Sequence, residues 1–304
     1  AKRAATMHLC FNIIGTILFM IILNKPITWI VQYLNPNDSA RQIANSHTLF
    51  NIVNVILLLP FSKFIVKLAM LIIPDKDDEE KESTTIIKYL DDRMLETPAI
   101  AYGNIIRESL RMGKKAKDGF TSATNALINK SQKQINETFE KEKVINEQQK
   151  RIIDYLIKLS NRSLDDNMRK SLDLLFHTIN DIERIGDLSE NIAELAENAI
   201  KNNVKFSERA LDEIKEIYNK TLESYDLSLE AMKQNDMSIA NNAIELEEDV
   251  DELDKAYRNE HMRRLNKNIC SIDSGIIYLD LLTNIERISD HAASIAKRVI
   301  MVNE

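Results

Sequence analysis

Residues 4–23 run AATMHLCFNIIGTILFMIIL, twenty positions without a formal charge. As a helix rising 1.5 Å per residue, such a stretch matches a hydrocarbon core of about 30 Å. Asn24-Lys25-Pro26 reads as its end, and a polar turn, NPND, follows around Pro36. A second stretch, residues 42–59, again lacks formal charge before Pro60 interrupts it. Two membrane spans, about 4–23 and 42–59, are therefore expected; a pair of buried core helices is the competing reading. Beyond Pro60, Phe61, Phe64, Ile65, Leu68 and Ile72 recur every three or four residues with Lys63 and Lys67 opposite. That pattern predicts an interfacial helix over 61–73. Residues 75–83, DKDDEEKES, form a solvated charged linker.

From there almost to the end, apolar residues keep a helical period and Gly and Pro are scarce. Six helices are predicted, over about 98–129, 136–160, 164–202, 207–234, 237–268 and 271–302. Pro98 suits a first helical turn, and Ser207 suits an N-cap. The third and sixth share a signature: I-E-R-I-G-D at 182–187 matches I-E-R-I-S-D at 285–290, a shift of 103 residues. The match extends to Ile192-Ala193 against Ile295-Ala296. At a shift of 105, Glu142, Ile145, Asn146, Glu147 and Lys150 face Glu247, Val250, Asp251, Glu252 and Lys255. The fold class is thus all-α: two transmembrane helices and an interfacial helix, then a duplicated three-helix bundle. Residues 1–74 form the membrane part and 84–304 the bundle, with repeat one about 96–203 and repeat two about 204–304.

Charge separates the same two parts. Residues 1–74 carry a net +5 and the remainder a net −12 within a chain total of −7. The acidic balance argues against nucleic-acid binding. Two cysteines, Cys10 and Cys270, are too few and too far apart for a disulfide scaffold or a zinc ribbon. Lys2, Arg3, Lys63, Lys67 and Lys76 flank one side of the paired spans, against Lys25 and Arg41 on the other. The positive-inside rule then puts residues 75–304 in the cytoplasm of a multi-pass plasma-membrane protein. The chain does not begin with Met, and it reads as the tail of something longer.

The candidate chemistry lies in repeated polar groups. Glu183 with Asp187, and Glu286 with Asp290, stand four apart, so each pair projects from one helix face. If the preceding helix of each repeat packs alongside, Glu142 with Asn146, or Glu247 with Asp251, adds oxygen ligands. Such clusters suit iron, manganese, calcium or magnesium; an exposed acidic face is the plainer reading. His261 and His291 are auxiliary ligands or ordinary surface residues. In the membrane part His8 and Asn12, and His47 and Asn51, share the pattern H-x-x-F-N. Polar groups there either face an aqueous path or hold helices together. No E-x-x-H, phosphate-binding glycine loop, nucleophile elbow or H-E-x-x-H occurs, and no enzymatic activity is expected.

E-R-I-G-D at 183–187 and E-L-E-E-D-V-D-E-L-D-K at 245–255 make the bundle similar to the PhoU domain. A-K-R-A-A-T-M-H-L-C-F-N and A-N-S-H-T-L-F-N resemble the end of the transport domain of bacterial sodium/phosphate cotransporters. The resemblance spans essentially the whole chain. It implies sodium-coupled transport of inorganic phosphate, a lipid bilayer as surroundings, a metal-binding regulatory domain, and a homodimer as a further expectation. The Gln-Ser-Ser motifs of that family do not occur, so the substrate site would lie upstream of Ala1 or be missing. Asn146 stands where repeat two has Asp251, which weakens the first metal site. A PhoU-class signalling regulator acting in trans on a transporter or sensor kinase is the second reading.

Overall fold

The N-terminal helix runs past the Asn24-Lys25-Pro26 signal. In the computed structural model, which describes residues 2–61, 64, 86–267 and 269–303, α1 (Lys2–Leu18) passes through a π-helical turn, Phe19–Leu23, into α2 (Asn24–Leu34). Pro26 cannot bond back to the carbonyl four residues earlier, and the widened turn just ahead of it absorbs the misfit. Asp38 then caps α3 (Ser39–Leu58), accepting from the Arg41 amide at 3.0 Å, and a 3₁₀ turn containing Pro60 ends it.

Among the described residues one helix, Phe11–Leu34, is long and apolar enough to cross a membrane, with a mean hydropathy of 1.8. The expected pair of spans is corrected to this one, and its boundaries move from 4–23 to 11–34. Residues 42–59 fall short because Gln42, Asn45, Ser46, His47, Thr48, Asn51 and Asn54 dilute the apolar run. Apart from Phe61 and Phe64, the predicted interfacial helix lies outside the described residues, as does the charged linker. Leu58 packs with Phe11, Ile14 and Leu18. Gly15 is required where α1 meets α3, since a Cβ there would come within 2.3 Å of the Asn54 amide.

The chain divides into two compact units, Ala1–Thr84 and Thr85–Glu304. The second contains α4 (Pro98–Asn129), α5 (Gln132–Ser160), α6 (Asp166–Lys201), α7 (Glu208–Gln234), α8 (Met237–Asn266) and α9 (Ile272–Asn303). Ser131, Asp165, Ser207 and Asp236 each accept a backbone N–H at a helix start, the preferred way to satisfy an orphan donor. Helices α4, α5 and α6 pack mutually, α7, α8 and α9 do the same, and the repeats meet chiefly along α6 and α9.

Contacts of Asn191 with Asn284, and of Asp181 with His291 and Arg298, make α6 and α9 antiparallel. The duplicated motifs, centred on Gly186 and Ser289, therefore sit side by side where these helices cross. Burial repeats at the same shifts: Met112 with Ile217, Phe120 with Tyr225, Ile145 with Val250, and Ile182 with Ile285 are all fully or nearly fully buried.

Residues 86–96 lead into the bundle as a strap. Leu95 is buried, with Ile87 and Leu90 packed on the core. The fully buried Glu108 accepts the backbone amides of Lys88 and Tyr89 at 3.0 and 2.9 Å, while Arg111 Nε donates to its other oxygen at 2.7 Å.

Candidate metal centres

The α8–α9 hairpin gathers the denser group of carboxylates. Glu286 and Asp290 lie one turn apart on α9 and face α8, where Glu247, Asp251 and Asp254 form a stripe at i, i+4 and i+7. One oxygen each from Asp251, Glu286 and Asp290 fall within 4.8 Å of one another. Glu247 lies close enough to Asp290 for the second carboxylate to raise the first. Asp254 is buried; one oxygen accepts from Arg258 Nε at 2.7 Å, and Oδ1 has no protein partner. Burial pushes the Glu286 carboxyl above its ordinary range, and the charges of Asp290, Asp254 and Asp251 push it further. Burial also raises Glu247, with Lys297 opposing and Asp290 and Asp251 reinforcing the shift. Lys255 approaches Asp251 at 3.5 Å from the exposed side.

The corresponding group between α5 and α6 is built differently. Glu183, Asp187 and Glu190 repeat the i, i+4, i+7 stripe and face Glu142. Desolvation raises the carboxyls of all four, and the charges of Glu190, Asp187 and Glu183 add to the shift at Glu142. Asn146 donates its amide to Glu142 while its own Oδ1 is buried without a partner. Arg184 lies 3.4 Å from Asp187 and 4.0 Å from Glu183. An amide and a guanidinium thus relieve part of the repulsion in the first group, while in the second Arg258 holds Asp254, Lys255 approaches Asp251 and Lys297 opposes the shift at Glu247. Among the described residues, a three-carboxylate oxygen cluster forms in repeat two.

All eight predicted ligand positions fall into these two groups. Glu190 and Asp254 were missed, although each stands seven residues after Glu183 or Glu247, one more step of the same helical stripe. His291 takes the packing role of its two readings: its Nδ1 pairs with Asp181 at 2.9 Å, and Arg298 holds the other Asp181 oxygen, tying α9 to α6. His261 is likewise no ligand of the clusters; it is buried against the Tyr278 ring, with a centroid separation of 4.9 Å. In the membrane part, Asn51 Nδ2 and His47 Nδ1 are 3.4 Å apart. His47 lines a mostly apolar cavity of about 440 Å³ with Phe19, Val31 and Phe50. Asn12 is exposed, and the His8 side chain lies outside the described residues.

The donor set is all oxygen, rich in charge, and includes buried acceptors that the protein leaves unused. That chemistry fits a hard or borderline cation, whose charge would offset both repulsion and desolvation.

The family model for the PhoU domain matches residues 109–196 and 214–299, one copy in each repeat. The chain is 24% identical over 303 residues to the protein of Escherichia coli K12 named "Putative inorganic phosphate export protein YjbB". That alignment covers 99% of this chain and 55% of the relative, so the chain spans about half of that protein's length. It is 30% identical over 123 residues to a phosphate-specific transport system accessory protein PhoU homolog of Thermotoga maritima, covering 40% and 52% of the two chains. The crystal structure of PhoU from Pseudomonas aeruginosa superposes with a TM-score of 0.63 at 22% identity, over 67% of this chain and 97% of that one. The Streptococcus pneumoniae phosphate transport system regulatory protein PhoU gives 0.62 at 21%, over 68% and 97%.

Proposed function

The chain belongs to the PhoU domain family, and from that premise we propose that it is the membrane-attached regulatory part of a phosphate-transporting protein, without enzymatic activity of its own. One observation supports attachment above the others. The helix Phe11–Leu34 has only 11% of its most apolar window buried, and it shares a chain with the duplicated carboxylate bundle. The similarity to the YjbB relatives along 99% of this chain supports phosphate as the transported ion. On this reading sodium is the coupling ion, the substrate site lies in sequence preceding Ala1, and the bundle faces the cytoplasm. Glu247, Asp251, Glu286 and Asp290 bind a divalent or trivalent cation more firmly than Glu142, Asn146, Glu183 and Asp187. Occupancy of those clusters then biases transport.

Proteoliposomes containing the longer protein test this reading. Phosphate flux is expected to depend on a sodium gradient and to change when Glu286 and Asp290 are replaced by Ala. Flux indifferent to sodium would remove the coupling assignment. Flux indifferent to the carboxylates would remove the regulatory one. The 30% identity to the Thermotoga accessory protein, spread over 123 residues, supports the second reading, a PhoU-class regulator acting in trans. That reading expects the isolated unit Thr85–Glu304 to restore regulation when added to a transporter lacking it.

A further inference from the structure

The two repeats diverge sharply at one end of the bundle, where α5 meets α6 and α8 meets α9. In repeat one this end is sealed by Leu156, Leu159, Leu172 and Leu175, all at most 6% exposed. At the shifts that superimpose the repeats, these positions are His261, Arg264, Gly275 and Tyr278. All four remain buried. Instead of a dry core, repeat two has a cavity of about 400 Å³ lined by His261, Arg264 and Tyr278. Burying such groups is costly and the first repeat folds without them, so stability does not explain the exchange.

The exchange is also coordinated. Arg264 donates to both oxygens of Glu213 at 2.7 Å, and Tyr278 donates to the same carboxylate at 2.6 Å. Arg209, which also pairs with Glu260 at 3.6 Å, adds a further bond to Glu213 at 3.2 Å. A guanidinium has five N–H donors, and Arg264 lines the cavity with donors beyond those Glu213 consumes. Gly275 is the residue that lets the imidazole stand here, since a Cβ would lie 2.8 Å from His261 Nε2. That nitrogen has no protein partner. Burial and the adjacent Arg264 push the imidazole below its ordinary range, which leaves it neutral. Lys205 and a single lining carboxylate, Asp273, both exposed, also border the cavity. Ser207 and Ser271, which cap the N-terminal turns of α7 and α9, put two positive helix ends on the same space.

We propose that this cavity in the second repeat binds a small phosphate-bearing molecule, with Arg264, Lys205 and the two serine-capped helix ends holding the phosphate. A bare phosphate ion leaves most of the volume free, and Tyr278 and His261 offer ring surfaces to an organic portion. The site is separate from the carboxylate clusters and stands whether or not they hold metal.

Isothermal titration of the full chain with inorganic phosphate, AMP and unphosphorylated adenosine tests the assignment. Saturable binding of a phosphate-bearing probe is expected, with none for adenosine. Saturation by AMP alone identifies an organic phosphate, and saturation by inorganic phosphate identifies the free ion. Lys205→Glu should weaken binding about tenfold and Asp273→Lys should tighten it, whereas Asp290→Ala should leave it unchanged. Lys205 and Asp273 are exposed, so folding is not at stake in those variants. His261→Leu with Arg264→Leu, which restores the residues of repeat one, should abolish binding. No saturation by either phosphate probe, tighter or equal binding of adenosine, or indifference to the Lys205 and Asp273 variants would overturn the proposal.

Discussion

Asn146 and Asp251 occupy equivalent places in the two repeats, and exchanging an amide nitrogen for a carboxylate oxygen separates the two clusters electrostatically. The Asn146 amide donates to Glu142 and satisfies it internally, whereas Asp251 brings another acceptor into the group with Glu286 and Asp290. Metal analysis of the purified chain should therefore show a larger loss for Asp290→Ala than for Asp187→Ala, and Asn146→Asp should increase the metal held by repeat one. Equal losses would remove the ranking. Acid titration gives a second expectation. Glu183 and Glu286 have folded pKa values raised by burial above the ordinary 4.5, so the folded state binds more protons between the raised value and 4.5. Stability of the metal-free chain should then increase as pH falls through that window. Glu213 works oppositely: despite burial, its bonds to Arg264 and Tyr278 hold it below 4.5, and its contribution is lost as pH falls through that lower value. Thermal melts taken from neutral pH down to about 4.5 should show the gain, and Glu286→Gln should reduce it. The eight positions that gather in the two clusters were legible because duplication marks them. Glu190 and Asp254 were not, because their counterparts in the other repeat are Ala293 and Gln149.

Six amphipathic helices came through the sequence to within a few residues, because in each an apolar stripe of helical period faces one core. The Pro98 and Ser207 signals fell at observed helix starts. Two elements escaped for opposite reasons. The helix through Pro26 was cut short because the local rule for proline takes no account of a π-helical turn that accommodates the ring. The strap at 86–96 was invisible because its order comes from distant partners and not from periodicity. Glu108 holds its backbone amides, Tyr155 donates to the Asp91 carbonyl at 2.9 Å, and Lys158 pairs with Asp92 at 2.9 Å. Glu108→Ala would leave Arg111 and two amides without their shared acceptor. A loss on the order of 3–5 kcal/mol is expected from breaking one side of a buried pair. Chemical denaturation measures that cost, and hydrogen exchange at Lys88 and Tyr89 should accelerate far more than in α9. Unchanged exchange at those amides would show that the strap is held by Ile87, Leu90 and Leu95 alone.

At the scale of the whole chain, reducing two spans to one changes whether the N-terminal end and the bundle share a side of the membrane. With residues 4–23 and 42–59 both crossing, the N-terminal end and the bundle share a compartment. With Phe11–Leu34 crossing alone, they lie on opposite sides. Lys2 and Arg3 then flank one end of the span, while Arg41, Lys63, Lys67 and Lys76 flank the other. Of these, Lys2, Arg3 and Arg41 lie within about 20 residues of the span, so charge alone does not choose a side for the bundle and labelling at both ends does. Ile17, Met20, Ile21, Ile22, Trp29 and Tyr33 are exposed on this helix; on the proposed membrane attachment they face lipid, and the full chain should resist alkaline carbonate extraction. In a Cys10→Ser background, Cys270 should react with a membrane-impermeant maleimide only after permeabilisation. Lys2→Cys should react in intact cells if one helix crosses, and only after permeabilisation if two do. Labelling of Cys270 in intact cells would place the bundle outside and defeat the cytoplasmic assignment together with the regulatory role built on it.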